Sequence, residues 1–378
     1  MPEHHKVKVI SIGEIQVHPN ADTLGIVFVG GYQCVVKKDN YKVGDLAVYL
    51  PPDSVVPQTK PFEFLWADKE FPDGVVPEKY RRITVRRYRK EYSEGLLLPV
   101  TDFPLLYNQA GVFSQDEGAD VAELLGITHY EEPEPVDLYG TPSTRLQEKG
   151  WPRSLRGWFF LILRALGLRR NPLEGTSERA PKDAPPVYDV ENFKHYNTTF
   201  KQGDEVVVTE KIHGSNGRYM FDGKRMWVGS KNLWKSEKSK CIWRRVLKDY
   251  PQIEEWCRAH PKNTLYTEVV PTQKGYDYGT NEKKPTDIFV FDIRDQDGVY
   301  WPKDKSLVEV KPVPIVYAGP FDKETINKLA EGKTLVTNAK HIREGIVIAS
   351  REERYERGLG RVQLKLKSNA FLEAEGKR

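Results

Sequence analysis

The chain has 378 residues, of which 39% are hydrophobic and 30% charged, with a formal net charge of +4. That length exceeds what one compact core usually holds, and the mixture excludes a disordered or membrane-spanning profile, so two globular folding units are expected. A near-balanced charge permits local basic patches for nucleic acid without requiring them. Cys34, Cys241 and Cys257 are odd in number and form no CxxC pair, which argues against a disulfide framework or a cysteine-based zinc site. The first residues do not join a basic region to an apolar run and a cleavage site, so the expected setting is reducing and cytoplasmic.

From Val7 to about Pro99, short β-rich runs alternate with turn signals, which predicts a small OB-like β-barrel. Within it, Ile83 to Arg89 interleaves basic and aromatic residues, making Arg86, Arg87 and Arg89 candidate nucleic-acid contacts. The same pattern also suits a solvated edge strand, because cations protect strand edges. Residues 131–186 shift to Pro, Glu and Arg and read as a linker carrying one apolar, basic helix over 151–170, too short and too charged to span a bilayer. From Val187 onward strands are predicted at Glu205–Lys211, Met226–Ser230, Thr264–Val270, Asp287–Arg294, Gly345–Ser350 and Arg361–Lys367. Helical patterns fall around Lys240–His260 and Lys323–Glu331. The expected class is α+β: an OB-like domain over 1–130, the linker over 131–186, and an antiparallel-sheet domain over 187–378. The histidines, His4 and His5 included, lack metal-ligand spacing, and Trp227, Trp234, Trp243 and Trp256 read as packing residues.

The strongest local signal is Thr209-Glu210-Lys211-Ile212-His213-Gly214-Ser215-Asn216, in which a lysine ends an apolar strand and enters a glycine-containing turn. Only a neutral lysine amine is a nucleophile, so neighbouring cations or desolvation would activate it, and Gly214 would allow backbone to approach a phosphate. Glu268 sits at or just past the end of one apolar strand and Glu344 before another, where a carboxylate can hold a ribose hydroxyl or hydrated Mg²⁺. Lys365 and Lys367 alternate along one strand and so share a face, where they need anions such as a triphosphate opposite them.

With these motifs in this order, the chain from about Tyr188 to Ser368 resembles the covalent nucleotidyltransferase superfamily. Within it the likeness is to the RNA ligase 2 group of ATP-dependent RNA ligases. Lys211-Ile212-His213-Gly214 is similar to motif I in its KxHG form, whereas DNA ligases and capping enzymes carry KxDG. Gly229-Ser230-Lys231-Asn232 resembles motif Ia with Lys231 where the family usually has Arg. Glu268 resembles the ribose-binding motif III carboxylate, Phe291 the adenine-stacking ring of motif IIIa, Glu344 the metal-associated glutamate of motif IV, and Lys365 with Lys367 the motif V pair on the α-phosphate. The usual lysine after motif IV is absent. An OB-like module ahead of this domain, with Ser93-Glu94-Gly95-Leu96-Leu97-Leu98-Pro99, resembles the Naegleria-type branch.

The resemblance implies that Lys211 is the AMP-accepting nucleophile, with Lys365 and Lys367 as catalytic partners and His213 as a helper. It implies nucleotide contacts from Glu210, Ile212, Gly214, Asn216, Lys231, Glu268, Phe291 and Glu344, and Mg²⁺, with Mn²⁺ an alternative, held through water at Glu344. The expected substrates are ATP and RNA with 3′-hydroxyl and 5′-phosphate ends, with no membrane and no obligate protein partner. The competing readings are a GTP-dependent capping enzyme or DNA ligase, and a non-catalytic OB-fold RNA-binding protein related to tRNA-binding modules through His18-Pro19-Asn20-Ala21-Asp22.

Overall fold

The structure, a computed structural model, describes residues 5–130, 177–273, 275–304 and 310–376. The helix expected over 151–170 lies outside the described residues. The chain divides into two compact units, one of Met1–Glu132, Phe193–Asn197 and Asn369–Arg378, the other of Pro133–Asn192 and Thr198–Ser368. Among the described residues no helix is long and apolar enough to cross a membrane.

The first unit holds two three-stranded antiparallel sheets, ordered Lys8–Ser11, Leu46–Leu50, Leu96–Pro99 and Ile15–Val17, Leu24–Val29, Tyr32–Lys37. The Leu46–Leu50 strand shows why. Its alternating side chains serve two cores: Ala47 and Tyr49 pack with Ile12, Val27, Cys34 and Leu97, while Val48 and Leu50 pack with Val7, Phe62, Leu106 and Ile127. Residues beyond Pro99 therefore belong to the same body as the barrel, and Thr128–His129 pairs with Ser54–Val55 in a separate two-stranded sheet. Arg86–Tyr88 and Glu91–Ser93 form a separate hairpin.

The second unit is built on two sheets. One is six-stranded and antiparallel, ordered Ser177–Glu178, Trp234–Lys235, Met226–Ser230, Ser215–Phe221, Thr264–Val270, Asp287–Arg294. The other is ordered Glu191–Asn192, Gln363–Lys367, Gly345–Ser350, Glu205–Lys211, Ile315–Pro320, with only Glu191–Asn192 parallel to its neighbour. Ser177–Glu178, at the end of the stretch read as linker, is thus a sheet edge. Val206, Val207 and Val208 are fully buried, a burial of about 1.5–3 kcal/mol per side chain that holds the Glu205–Lys211 strand in place.

Several expectations are corrected here. The helical pattern expected around Lys240–His260 is present, as two helices, Ile242–Asp249 and Pro251–Ala259, divided because Pro251 lacks an N–H and Tyr250 before it leaves helical geometry (φ −133°, ψ 70°). The last strand is interrupted at Val362, leaving Gly360–Arg361 and Gln363–Lys367. Glu268 lies inside its strand rather than at or beyond its end. Ser215–Phe221 and Ile315–Pro320 were not legible as strands, since neither shows clean alternation.

Candidate active site

Lys211 is the last residue of Glu205–Lys211 in one sheet, and after the turn at His213 and Gly214 the chain enters Ser215–Phe221 in the other. The motif is thus the crossing between the sheets. Gly214 is glycine for packing: a Cβ there would come within 2.5 Å of the Val269 carbonyl and 2.9 Å of Glu268 Cγ. The space that the sequence reading assigned to an approaching phosphate is, on that side of Gly214, filled by the neighbouring strand.

Register brings the charges together. Lys211 pairs with Gly345, and Gly345 with Lys367, across three adjacent strands. Lys211 Nζ lies 2.8 Å from Glu344 Oε2, Lys367 Nζ 3.7 Å from Glu344 Oε1, and His213 Nδ1 3.6 Å from Glu344 Oε2. Glu344 is 3% exposed. Against the desolvation that burial imposes, Lys211, His213 and Lys367 hold its carboxyl far below the usual carboxylate range. Lys211 is therefore held against a carboxylate, whereas desolvation or neighbouring cations were expected to activate it. Cations are nevertheless near: burial first, then Lys211, pushes Lys365 below the ordinary lysine value.

His213 is held from several sides. Its N–H donates to the Tyr278 hydroxyl at 2.7 Å, Nε2 meets Gln273 Oε1, and its ring lies 5.0 Å edge-on to Tyr276. Burial lowers its pKa, but the hydrogen bond and charge of Glu344 outweigh this and leave it above the ordinary histidine value. Glu268 pairs across strands with Asn216. Burial, against the Lys211 charge and with the repulsion of Glu344, pushes its carboxyl up to about 7. Asn216 Oδ1 is buried without a hydrogen-bond partner in the described structure, and Trp243 Nε1 holds the Asn216 carbonyl at 2.9 Å.

The remaining candidates fall elsewhere in the unit. Lys231 Nζ is 2.8 Å from Asp189 Oδ2, and Lys365 Nζ is 4.0 Å from Asp189 Oδ1, so one carboxylate links the motif Ia and motif V lysines. Phe291 is the extra residue of a bulge, because Tyr266 pairs with Asp292 and Thr267 with Val290. Its ring packs 4.8 Å from Tyr188 and 6.5 Å, stacked, from Tyr266. Glu210, buried, accepts a hydrogen bond from the Leu335 N–H at 2.7 Å, and burial raises its carboxyl pKa against nearby Arg343 and His341. Ile212 is buried. Arg86, Arg87 and Arg89 are exposed residues of the other unit.

Sequence reasoning missed Asp189, Tyr188, Gln273, Tyr278 and Trp243 as site neighbours. Tyr188 could have been suspected, standing where the resemblance begins, but its partners Asp292 and Gln363 are 104 and 175 residues away.

An OB-fold unit thus accompanies a two-sheet α+β unit, one of whose strands ends on a carboxylate-held lysine. Residues 204–367 match the RNA ligase family model, and residues 6–100 match an OB-fold domain model. The second unit thus matches the RNA ligase family's domain, and an OB-fold domain precedes it in the chain. Its fold is similar over nearly its whole length to Naegleria gruberi RNA ligase. A substituted form of that enzyme with AMP and Mn is 23% identical, with a TM-score of 0.65 over 99% of this chain and 100% of that one. The form with PPi is 23% identical with a TM-score of 0.64 over 99% and 100%, and a substituted form with ATP and Mn is 23% identical with a TM-score of 0.64 over 98% and 99%. A search of curated protein sequences finds no match.

Proposed function

We propose that this chain is an RNA ligase that uses ATP to join a 3′-hydroxyl and a 5′-phosphate on RNA, passing through a lysyl-AMP at Lys211 and an RNA-adenylate. The observation that carries the reading is the cluster of Lys211, Glu344, His213 and Lys367 assembled by sheet register. That Naegleria gruberi RNA ligase has been solved with ATP, with AMP and with PPi supports it.

In the first step the Lys211 amine attacks the α-phosphorus, a P–N bond forms, and the bond to pyrophosphate breaks. The ammonium must first surrender its proton, so the 2.8 Å pair with Glu344 has to loosen as the nucleotide enters. Lys365 and Lys367 stand on one face to meet charge on the transferred phosphoryl group. Glu268, neutral below about pH 7, can donate to as well as accept from a ribose hydroxyl. Asn216 Oδ1 awaits a donor, and Phe291 offers a ring for the base. Glu210, Ile212, Gly214 and Lys231 complete the proposed nucleotide contacts. In the second step AMP passes to the 5′-phosphate, and in the third the 3′-hydroxyl displaces it.

Glu344 and Glu268 are hard oxygen donors suited to Mg²⁺ or Mn²⁺. Among the described residues no cluster of three or more His, Cys, Asp or Glu could hold a metal ion, so water and nucleotide phosphates would fill most of its coordination. When bound, the ion neutralises phosphate charge.

Arg86, Arg87 and Arg89 are proposed to contact RNA. Further parts of the reading are the division into 1–130, 131–186 and 187–378, a role in RNA repair without an obligate protein partner, and a cytoplasmic location. Three free cysteines, Cys34, Cys241 and Cys257, are consistent with the last.

The test is incubation with a divalent ion and α-labelled ATP or GTP, followed by a denaturing gel. Label from ATP that vanishes in Lys211→Ala is expected. Label from GTP points to capping, and equal sealing of an all-DNA nick points to a DNA ligase. No label at all leaves a binding protein.

A further inference from the structure

The Arg86–Tyr88 and Glu91–Ser93 hairpin turns through two residues, Arg89 and Lys90, between the paired Tyr88 and Glu91. Both turn residues have positive φ, 47° and 80°. Such a turn favours Asn-Gly, because glycine and asparagine enter the left-handed region without a clash between Cβ and backbone. Here both positions carry long cations instead. A turn serving only to reverse the chain has no reason to bear that strain, and strained backbone of this kind gathers where side chains have work to do.

The hairpin is also braced from beneath. His18 is 2% exposed. Its Nδ1 accepts from the Asn20 N–H at 3.1 Å, which leaves the proton on Nε2 to donate to the Tyr88 carbonyl at 3.1 Å, immediately before the turn. On the other strand, the Val35 N–H donates to Ser93 Oγ and Gln33 Nε2 to the Tyr92 carbonyl, each at 3.0 Å. Arg86, Tyr88, Arg89 and Lys90 are all exposed. Arg87 differs from its neighbours: Glu373 lies 3.6 Å from its Nε, and its guanidinium sits over the Tyr92 ring. Among the described residues no carboxylate pairs with Arg86, Arg89 or Lys90.

We infer that the Arg89–Lys90 tip, positioned through His18, is a rigid contact for the sugar-phosphate backbone of RNA, with Arg86 and the Tyr88 ring beside it. This rests on the reading of RNA as substrate and refines its interface. Lys90 joins it, and Arg87, already engaged within the protein, contributes less. A fixed pair of cations reads phosphate spacing and not base identity, so the contact is sequence-independent and salt-sensitive.

The full-length protein is tested with a nicked RNA duplex bearing 3′-hydroxyl and 5′-phosphate ends, its affinity measured from low to high salt. The Arg89→Asn, Lys90→Gly double substitution is expected to raise the unfolding midpoint by relieving the turn. It should weaken RNA binding and reduce the slope of log K against log salt by about 1 for each cation lost. His18→Gln can keep both hydrogen bonds and should retain wild-type affinity, whereas His18→Leu should lose affinity. Unchanged binding and slope in the double variant overturn the inference. Should that variant be less stable, Arg89→Gln with Lys90→Gln removes charge alone and decides the matter by the same slope. Self-adenylylation from ATP stays at wild-type level in every variant if only the tip is affected. Its absence in the wild type would instead sink the ligase reading.

Discussion

Lys211 and Glu344 stand 133 residues apart in the chain and 2.8 Å apart in space. Each was recognisable as a candidate from its own strand, yet their pairing was not, because nothing local in either segment specifies the partner. The shared face of Lys365 and Lys367 was legible, since it follows from the two-residue period of a strand. Glu268 shows what proximity does to a carboxyl: burial beside Glu344 lifts it to about 7. Its folded pKa lies above the ordinary value, so the folded state binds the extra proton. This carboxyl's effect on stability therefore turns unfavourable as pH rises from about 4.5 to about 7 and stays so above. Glu268→Gln should accordingly stabilise the protein by about 1–3 kcal/mol at pH 8 and change little at pH 5. Denaturant midpoints in metal-free buffer check this, and equal shifts at the two pH values would refute it.

Strands carry the site, and their bounds were largely readable. Glu205–Lys211, Met226–Ser230, Thr264–Val270, Asp287–Arg294 and Gly345–Ser350 fall where apolar β-branched runs end in turn residues. The bulge at Phe291 was not readable, because a bulge is a mismatch between two strands and no property of one. Gly345 is the position where element and site meet. A Cβ there would come within 2.1 Å of the Leu366 carbonyl and 2.7 Å of Lys367 Cα, and backbone cannot yield as a side chain can. Gly345→Ala should push the Gln363–Lys367 strand away, costing about 2–4 kcal/mol. It should also reduce lysyl-AMP formation more than the fall in stability explains. Calorimetry and labelling on the same preparation separate the two effects, and an alanine variant as stable as wild type would contradict the packing argument.

At the scale of the whole molecule, the second unit is tied together by a buried charge network that no motif announced. Asp292, fully buried, meets Lys303 at 2.7 Å, pairs with Arg361 and accepts from the Tyr188 hydroxyl, so three other segments converge on one carboxylate. Burial opposes its ionisation, but Lys303 and Arg361 prevail and hold its pKa below the ordinary value. The stability it contributes is present above the ordinary carboxylate value and is lost as pH falls from there through its lowered folded value. Asp292→Asn, which leaves buried Lys303 without its carboxylate while Arg361 keeps Glu353, should cost about 3–5 kcal/mol at neutral pH and flatten the acid limb of stability. An unfolding curve within about 0.5 kcal/mol of wild type would count against the network.

The sequence alone singled out the residues proposed to carry the chemistry, the order in which they come, and the strands on which most of them lie. These follow from side-chain type and from the two-residue period of a local backbone. Only the tertiary structure decided which charges meet: that Lys211 rests on Glu344, that Asp189 links Lys231 to Lys365, and that Asp292 gathers its cations. Electrostatic energy depends on distance in space, and in a sheet protein that distance is set by the register between strands far apart in sequence.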